Sequence, residues 1–301
     1  MRALVTGAGG FVGRHLVTRL RADGWAVTGL TRADVDLADP VAGAAAVGAA
    51  DPDVVFSLAA ARRKATAADR AATTAVNTSP WLVEALPDRC RAVVRLGSST
   101  EYAAAPHPLA EDAALRPRGF FGATKAAGSL LLQAAAAERG VRSAVLRAFQ
   151  VYGPGDHPAR LVPVVLEAAR TGATVPLPTR VSRRDWVWVG DVVDACVRAA
   201  LADDLPGGTV LNIGTGVQTS TEELVGTAER VSGRPIATAP GAHPGRDWDT
   251  ADWMCDPRAA ARLLGWTPTV DLAEGLARTW RAGAATEPAA QPVVGAAVEP
   301  A

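Results

Sequence analysis

Phe121 and Lys125 lie one helical turn apart in the segment Gly119-Phe120-Phe121-Gly122-Ala123-Thr124-Lys125. A helix there turns both side chains the same way. A tyrosine in place of the phenylalanine would make the YxxxK pair with which reductases move a proton. A phenol gives or takes that proton and a phenyl ring does not. The only tyrosines are Tyr102 and Tyr152, and neither has a lysine four residues on. Lysine itself is scarce, with Lys64 and Lys125 the only two beside abundant arginine, so a lysine kept at a motif position carries weight.

The partner chemistry is hydride transfer from a dinucleotide. Thr6-Gly7-Ala8-Gly9-Gly10-Phe11-Val12-Gly13 follows a predicted strand and opens a predicted helix. Gly7 suits a tight turn, Gly10 a close approach of backbone to pyrophosphate, and Gly13 close helix–strand packing, with the helix N-terminus facing the phosphates. The second strand ends in Leu30-Thr31-Arg32 without the acid that accepts from a ribose 2′-hydroxyl. Arg32, with Arg14 beyond the glycine loop, suits a 2′-phosphate, so NADP(H) is expected over NAD(H). Asp36 and Leu37 lie near enough in sequence to reach the adenine.

These residues need a scaffold. Apolar runs at 2–6, 26–31, 54–58, 92–97 and 143–147 alternate with amphipathic stretches at 11–22, 73–86 and 124–139, the pattern of a doubly wound parallel α/β sheet. Ligands then bind at the carboxyl ends of its strands. The expected division is a Rossmann-type dinucleotide domain over 1–150, a smaller substrate lobe over 151–284, and a disordered tail over 285–301, with some elements from about 186–214 returning to the first domain. Strands are expected at 185–189 and 209–213, and helices at 191–201, 220–232 and 257–266.

The 301 residues carry 31 Lys+Arg against 31 Asp+Glu, so no nucleic-acid partner is expected. No apolar run approaches the roughly 20 residues of a membrane span, and the N-terminus lacks a signal-peptide pattern. Cys90, Cys196 and Cys255 have no metal spacing and read as reduced cytoplasmic thiols, so no metal site is expected.

With these motifs in view, the chain resembles the extended short-chain dehydrogenase/reductases, the NAD-dependent epimerase/dehydratase family, over roughly residues 1–283. The resemblance rests on the glycine loop, Leu58-Ala59-Ala60, Asn77, Ser98, Lys125, Val151-Tyr152-Gly153-Pro154-Gly155, Arg184-Asp185-Trp186, Asn212-Ile213-Gly214-Thr215-Gly216 and Leu264-Gly265-Trp266-Thr267-Pro268. It implies that Leu58, Ala59, Ala60, Asn77 and Lys125 line the cofactor, with Lys125 on the nicotinamide ribose, and that Ser98 bonds a substrate carbonyl. Ser99, Thr100, Phe121, Gln150, Arg184 and Trp186 would wall the pocket. His243 stands where a second diphosphate-binding arginine is expected, although Arg246 follows. Trp248 and Trp253, in a polar loop, suit a flat apolar ligand, whereas Trp186 and Trp188 serve equally well as core. The run Arg62-Arg63-Lys64 either gates the cleft or is solvated.

Family members that begin by oxidising a sugar hydroxyl use the tyrosinate as base, so its loss should weigh most on that step. Ketone reduction can take its proton elsewhere, including from a hydroxyl on the substrate. The expected activity is therefore an atypical NADPH-dependent ketoreductase, monomeric or homodimeric. The pattern is similar to ketoreductases of aromatic, angucyclinone-like polyketides in antibiotic biosynthesis, which implies an aromatic ketone substrate. Two alternatives stand: a sugar-nucleotide 4-ketoreductase or epimerase using Tyr102, Tyr152 or water, and an inactive NADP-binding sensor.

Overall fold

The computed structural model describes residues 1–62, 65–79, 81–104, 108–117, 119–179, 182–243 and 252–284. The tail expected from 285 onward lies outside them. The first half runs β1 (Arg2–Thr6), α1 (Phe11–Ala22), β2 (Ala26–Leu30), α2 (Pro40–Ala50), β3 (Val54–Ser57), α3 (Ala67–Thr78), α4 (Trp81–Glu84), β4 (Ala92–Ser98), α5 (Phe120–Glu138) and β5 (Arg142–Ala148). The second half follows with β6 (Gln150–Tyr152), α6 (Leu161–Thr171), β7 (Val175–Pro178), β8 (Arg183–Trp188), α7 (Val189–Leu201) and β9 (Thr209–Ile213). It ends with β10 (Gln218–Ser220), α8 (Thr221–Ser232), β11 (Thr238–His243), β12 (Asp252–Trp253), α9 (Arg258–Leu264) and α10 (Leu272–Ala284).

Six strands form one parallel sheet in the order β2-β1-β3-β4-β5-β9. Alternate residues of its strands feed two cores, because successive side chains leave a strand on opposite faces. Ala3, Val5, Val54 and Phe56 join one cluster with Leu16 of α1 and Val192 of α7. Leu4, Val55 and Val93 join the other with Val47 of α2, Leu82 of α4 and Leu132 of α5. Burial on both faces is what a parallel sheet requires. It also fixes where the strands' carboxyl ends, and hence the site, must open.

One expectation on the elements is corrected. The helix expected over 73–86 is two helices, α3 and α4, because Ser79 takes a left-handed conformation (φ 35°) that ends α3. The later strands divide among the sheets. Only β9 returns to the main sheet, while β8 pairs with β6, β10 and β12 in a separate small sheet and β7 pairs with β11. Helix α7, however, packs against the main sheet, so the segment 189–213 belongs structurally with the first half.

The glycine loop couples sheet to helix. Gly7 has φ +70°, and a Cβ there would stand 2.8 Å from the Ala59 backbone. A Cβ on Gly13 would collide with the Gly7 carbonyl oxygen. Gly13→Ala is therefore expected to cost about 1–3 kcal/mol through overpacking, read as a lower urea midpoint at unchanged denaturant slope.

Candidate active site

The carboxyl ends of β1, β3 and β4 bring the expected residues together. At the loop after β1, the Gly7 carbonyl accepts from Gly10 N at 2.9 Å. No side chain caps the first-turn amides of α1, and no acidic residue lies in that turn. Amide donors and positive dipole thus face the loop, as a pyrophosphate requires. Phe11 and Val12 pack inward on the core. Arg14 turns to the later half, where it donates to the Gly155 carbonyl at 2.8 Å. Arg32 is exposed in the turn after β2. In that turn Asp34 accepts from the Thr31 amide (2.8 Å) and hydroxyl (2.6 Å), which hold its carboxyl below the usual range. Asp36 accepts from Ala38 N at 3.0 Å, and Leu37 is buried. These features fit a dinucleotide: glycines at which a Cβ would meet backbone, first-turn amides with no side-chain cap, and an exposed arginine in the turn after β2.

At the end of β3, Leu58 is buried and Ala59 donates to the Thr6 hydroxyl at 3.3 Å, while Ala60 is exposed. Asn77 of α3 is fully buried and organises this end. Its Oδ1 accepts from Ala61 N at 2.7 Å, and its Nδ2 donates to the Ala61 carbonyl (3.0 Å) and to Thr124 Oγ1 (2.8 Å). Thr124 in turn donates to the Phe121 carbonyl at 2.9 Å.

Helix α5 carries Phe121 and Lys125, as the spacing required. Phe121 is half-buried, and the Arg62 guanidinium carbon lies 4.1 Å from its ring centroid. Lys125 is 3% exposed and donates from Nζ to the Leu96 carbonyl. Burial, with Arg95 and Arg62 nearby, holds its ammonium well below the usual lysine value, while Glu101 works the other way. Ser98 ends β4 and caps a 3-10 turn, Ser99–Glu101. Its Oγ accepts from Thr100 N at 3.2 Å and shares a proton with Thr100 Oγ1 at 2.8 Å. Ser99 is buried.

Sequence reasoning missed the charges beneath. Glu101, with no exposed surface, accepts from Ser98 N (2.9 Å), Ser129 Oγ (3.1 Å) and Arg147 Nε (2.9 Å). Arg95 is equally deep and donates to the Asn77 carbonyl, while its Nε has no partner among the described residues. Burial pushes Arg95 down to about 10, with Glu101 opposing. A chain this rich in arginine hides such residues among solvated ones.

Neither tyrosine replaces the lost phenol. Tyr102 is buried, donates to Asn212 Oδ1 at 2.7 Å and lies under the Arg147 guanidinium; burial pushes it up to about 12. Tyr152 is fully buried and donates to the Asp271 carbonyl at 3.2 Å, and burial raises it further.

The substrate-lobe residues gather around β8. Gln150 pairs in register with Trp186, and Arg184 with Trp253. Trp186 and Trp188 sit in the main core edge-on to Tyr152, which decides for packing over an open pocket wall. The Trp186 indole N–H has no partner among the described residues. Trp253 packs on a smaller cluster with Tyr102, Leu109 and Phe149. His243 ends β11 opposite Pro178. Trp248 and Arg246 lie outside the described residues. Asp185 knots the lobe: it accepts from Thr215 N (2.7 Å), Thr215 Oγ1 (2.7 Å), Gly216 N (2.8 Å) and Cys255 N (3.2 Å). The three cysteines are free and buried. Among the described residues no group of His, Cys, Asp or Glu could hold a metal ion, and no helix is long and apolar enough to cross a membrane.

Comparison with known proteins points one way. Residues 3–214 match the model of the NAD dependent epimerase/dehydratase family. A UDP-glucose 4-epimerase of Mycolicibacterium smegmatis is 35% identical over 93% of this chain and 97% of its own. MoeE5, solved with UDP-glucuronic acid and NAD, is 30% identical with a TM-score of 0.83, covering 95% of this chain and 100% of that one. The UDP-glucose 4-epimerase of Thermotoga maritima, solved with UDP-glucose, is 26% identical with a TM-score of 0.83, covering 95% and 99%.

Lys125 carries a pH signature. Between its lowered midpoint and 10.5, the unfolded chain binds a proton that the folded one does not, so stability rises with pH across that window. Urea unfolding at a series of pH values should show this rise, and Lys125→Met should flatten it.

Proposed function

Because the chain belongs to the NAD dependent epimerase/dehydratase family, and is an oxidoreductase acting on a carbonyl or CH–OH group, we propose that it is a ketoreductase whose substrate brings its own proton. A bound nicotinamide supplies hydride. The observation that carries the reading is Phe121, beside which no tyrosine stands in: Tyr102 and Tyr152 are committed elsewhere. Ser98 Oγ accepts from Thr100 N, and with Thr100 Oγ1 as the donor in their hydroxyl–hydroxyl bond the Ser98 proton is available to a carbonyl oxygen. Lys125 holds the ribose edge, and the Asn77–Thr124–Phe121 chain fixes where the carbonyl lies.

Microscopic reversibility assigns one group to the proton in both directions. The expectation that the loss weighs most on alcohol oxidation therefore gives way to a demand on the substrate. The lost acid has a pKa of about 10, and the hydroxyls of a hexose are far weaker acids than a phenol. A phenol beside the ketone restores the match, which favours an aromatic, polyketide-like ketone. For the cofactor, Asp34 and Asp36 accept from their own loop while Arg32 stands exposed beside them, which supports NADP(H). NADPH is expected to bind at least about tenfold more tightly than NADH, with Arg32→Ala removing roughly 1–2 kcal/mol of that difference, measured by calorimetry.

A second reading, a sugar-nucleotide 4-ketoreductase or epimerase, is favoured by the named relatives, which are UDP-sugar enzymes, and by Arg184 lying in register with Trp253. The test is NADPH oxidation with 8-hydroxy-1-tetralone against 1-tetralone, beside calorimetric binding of UDP-glucose. Faster turnover of the hydroxylated ketone, and a fall of roughly 10²-fold in kcat for Ser98→Ala, is expected. UDP-glucose binding with both tetralones inert puts the second reading first. NADPH binding with no turnover and no sugar-nucleotide affinity leaves a sensor.

A further inference from the structure

We propose that Glu101 is a positioning residue for the reaction, holding Ser98 on β4 and Lys125 on α5 in register from beneath. The inference rests on the ketoreductase reading for the tasks of those two groups and adds the residue that sets their geometry. Oε1 of the carboxylate accepts from the Ser98 amide at 2.9 Å and from the Ser129 hydroxyl at 3.1 Å. Ser129 lies one helical turn beyond Lys125, on the same face of α5. A single oxygen thus joins the strand end that presents the serine to the helix that presents the lysine. Hydrogen bonds to an ionised acceptor are shorter and stronger than neutral ones, so the joint is stiff.

The surroundings are cut to fit this carboxylate. Gly97 pairs in register with Arg147 of β5, and a Cβ on Gly97 would stand 2.9 Å from Glu101 Oε1. The glycine therefore leaves room for that oxygen. Arg147 Nε donates to the other one, Oε2, at 2.9 Å. Glu101 has no exposed surface, and a charge buried so deeply is costly unless geometry and hydrogen bonding are both good. An apolar side chain could occupy the same space without that cost. It could not accept from Ser98 and Ser129.

Helix α5 lies against the turn after β4 along one face. At Gly122 it comes so near that a Cβ would collide with the Thr100 carbonyl. At Lys125 the ammonium donates to the Leu96 carbonyl, and at Ser129 the hydroxyl reaches Glu101. Positions three and four residues apart share a helix face, so the three contacts act together. The bond to Glu101 differs from the other two because the same carboxylate also fixes the serine. It takes the Ser98 amide while Ser98 Oγ accepts from Thr100 N at 3.2 Å, a reciprocal cap. A misplacement of about 1 Å at a reacting group can cost roughly 10²-fold in rate. Glu101 is placed to prevent it.

The test uses two double variants: Glu101→Gln with Arg147→Met, and Glu101→Leu with Arg147→Met. Neither leaves half of the ion pair behind, and they differ in whether an oxygen still faces Ser98 N and Ser129 Oγ. With NADPH and 8-hydroxy-1-tetralone, the leucine variant should turn over roughly 10²-fold more slowly than the parent. The glutamine variant should stay within about tenfold, and both should bind NADPH within about threefold of the parent. Values of kcat for the two variants within about threefold of each other overturn the proposal. Ser129→Ala gives the same reading should the double variants fail to fold. It should lower kcat about tenfold, and a parent-like rate overturns the proposal.

A measurement without turnover separates this inference from the reading beneath it. In protein labelled with nitrogen-15 serine, the Ser98 amide signal should move in Ser129→Ala, because Oε1 then loses one of its two donors. An unmoved signal overturns the positioning role, even in a protein that reduces neither tetralone. A moved signal in such a protein supports the role and overturns the ketoreductase reading instead.

Discussion

The site is built over one buried carboxylate. Glu101 ties the end of β4 through Ser98 N, the middle of α5 through Ser129, and β5 through Arg147. Loss of either ion-pair partner would strand a charge in the interior, a penalty of about 3–5 kcal/mol. Arg95 and Lys125 lie close by, so a single anion answers three cationic side chains. Burial, and then the neighbouring Arg95, holds Lys125 below its ordinary value, and the excess of cations makes the region one in which further negative charge is welcome.

Beside this carboxylate a second set of polar contacts centres on Asn77. Gly128 lets α5 approach so closely that a Cβ would collide with the Asn77 carbonyl and the Arg95 guanidinium. Asn77 then reaches both Ala61 and Thr124. Each link joins an element that ends at the cleft to one that lies under it. The substrate lobe has an equivalent in Asp185, whose four donors come from the turn after β9 and from Cys255. Those bonds tie the motif residues to one another and hold the lobe's shape.

Much of this was legible in the sequence where a local rule governs. Helix α1 and strand β9 have the expected bounds because glycine spacing and a short apolar run are strong signals. The pairing of Phe121 with Lys125 followed from helical periodicity alone. Helix α2 was missed because Pro-Val-Ala-Gly-Ala-Ala-Ala-Val-Gly-Ala-Ala has no polar face; what starts it is Asp39, which caps Val41 N and Ala42 N. Helix α6 was hidden by Pro163, which sits harmlessly in its first turn. Arg95, Glu101 and Arg147 were unreadable for a different reason: each acquires its role from tertiary neighbours distant in the chain.

The edge position of β9 has a consequence for biosynthesis. Strand β5 is complete at residue 148, yet the strand that covers its outer side is not made until residues 209–213. At ribosomal speeds that gap lasts roughly 3–13 s, during which a row of unpaired amides and carbonyls stays open to any other nascent strand. Any sheet assembled before β9 is made therefore carries an open edge at β5, and chaperone engagement is expected to fall in that interval.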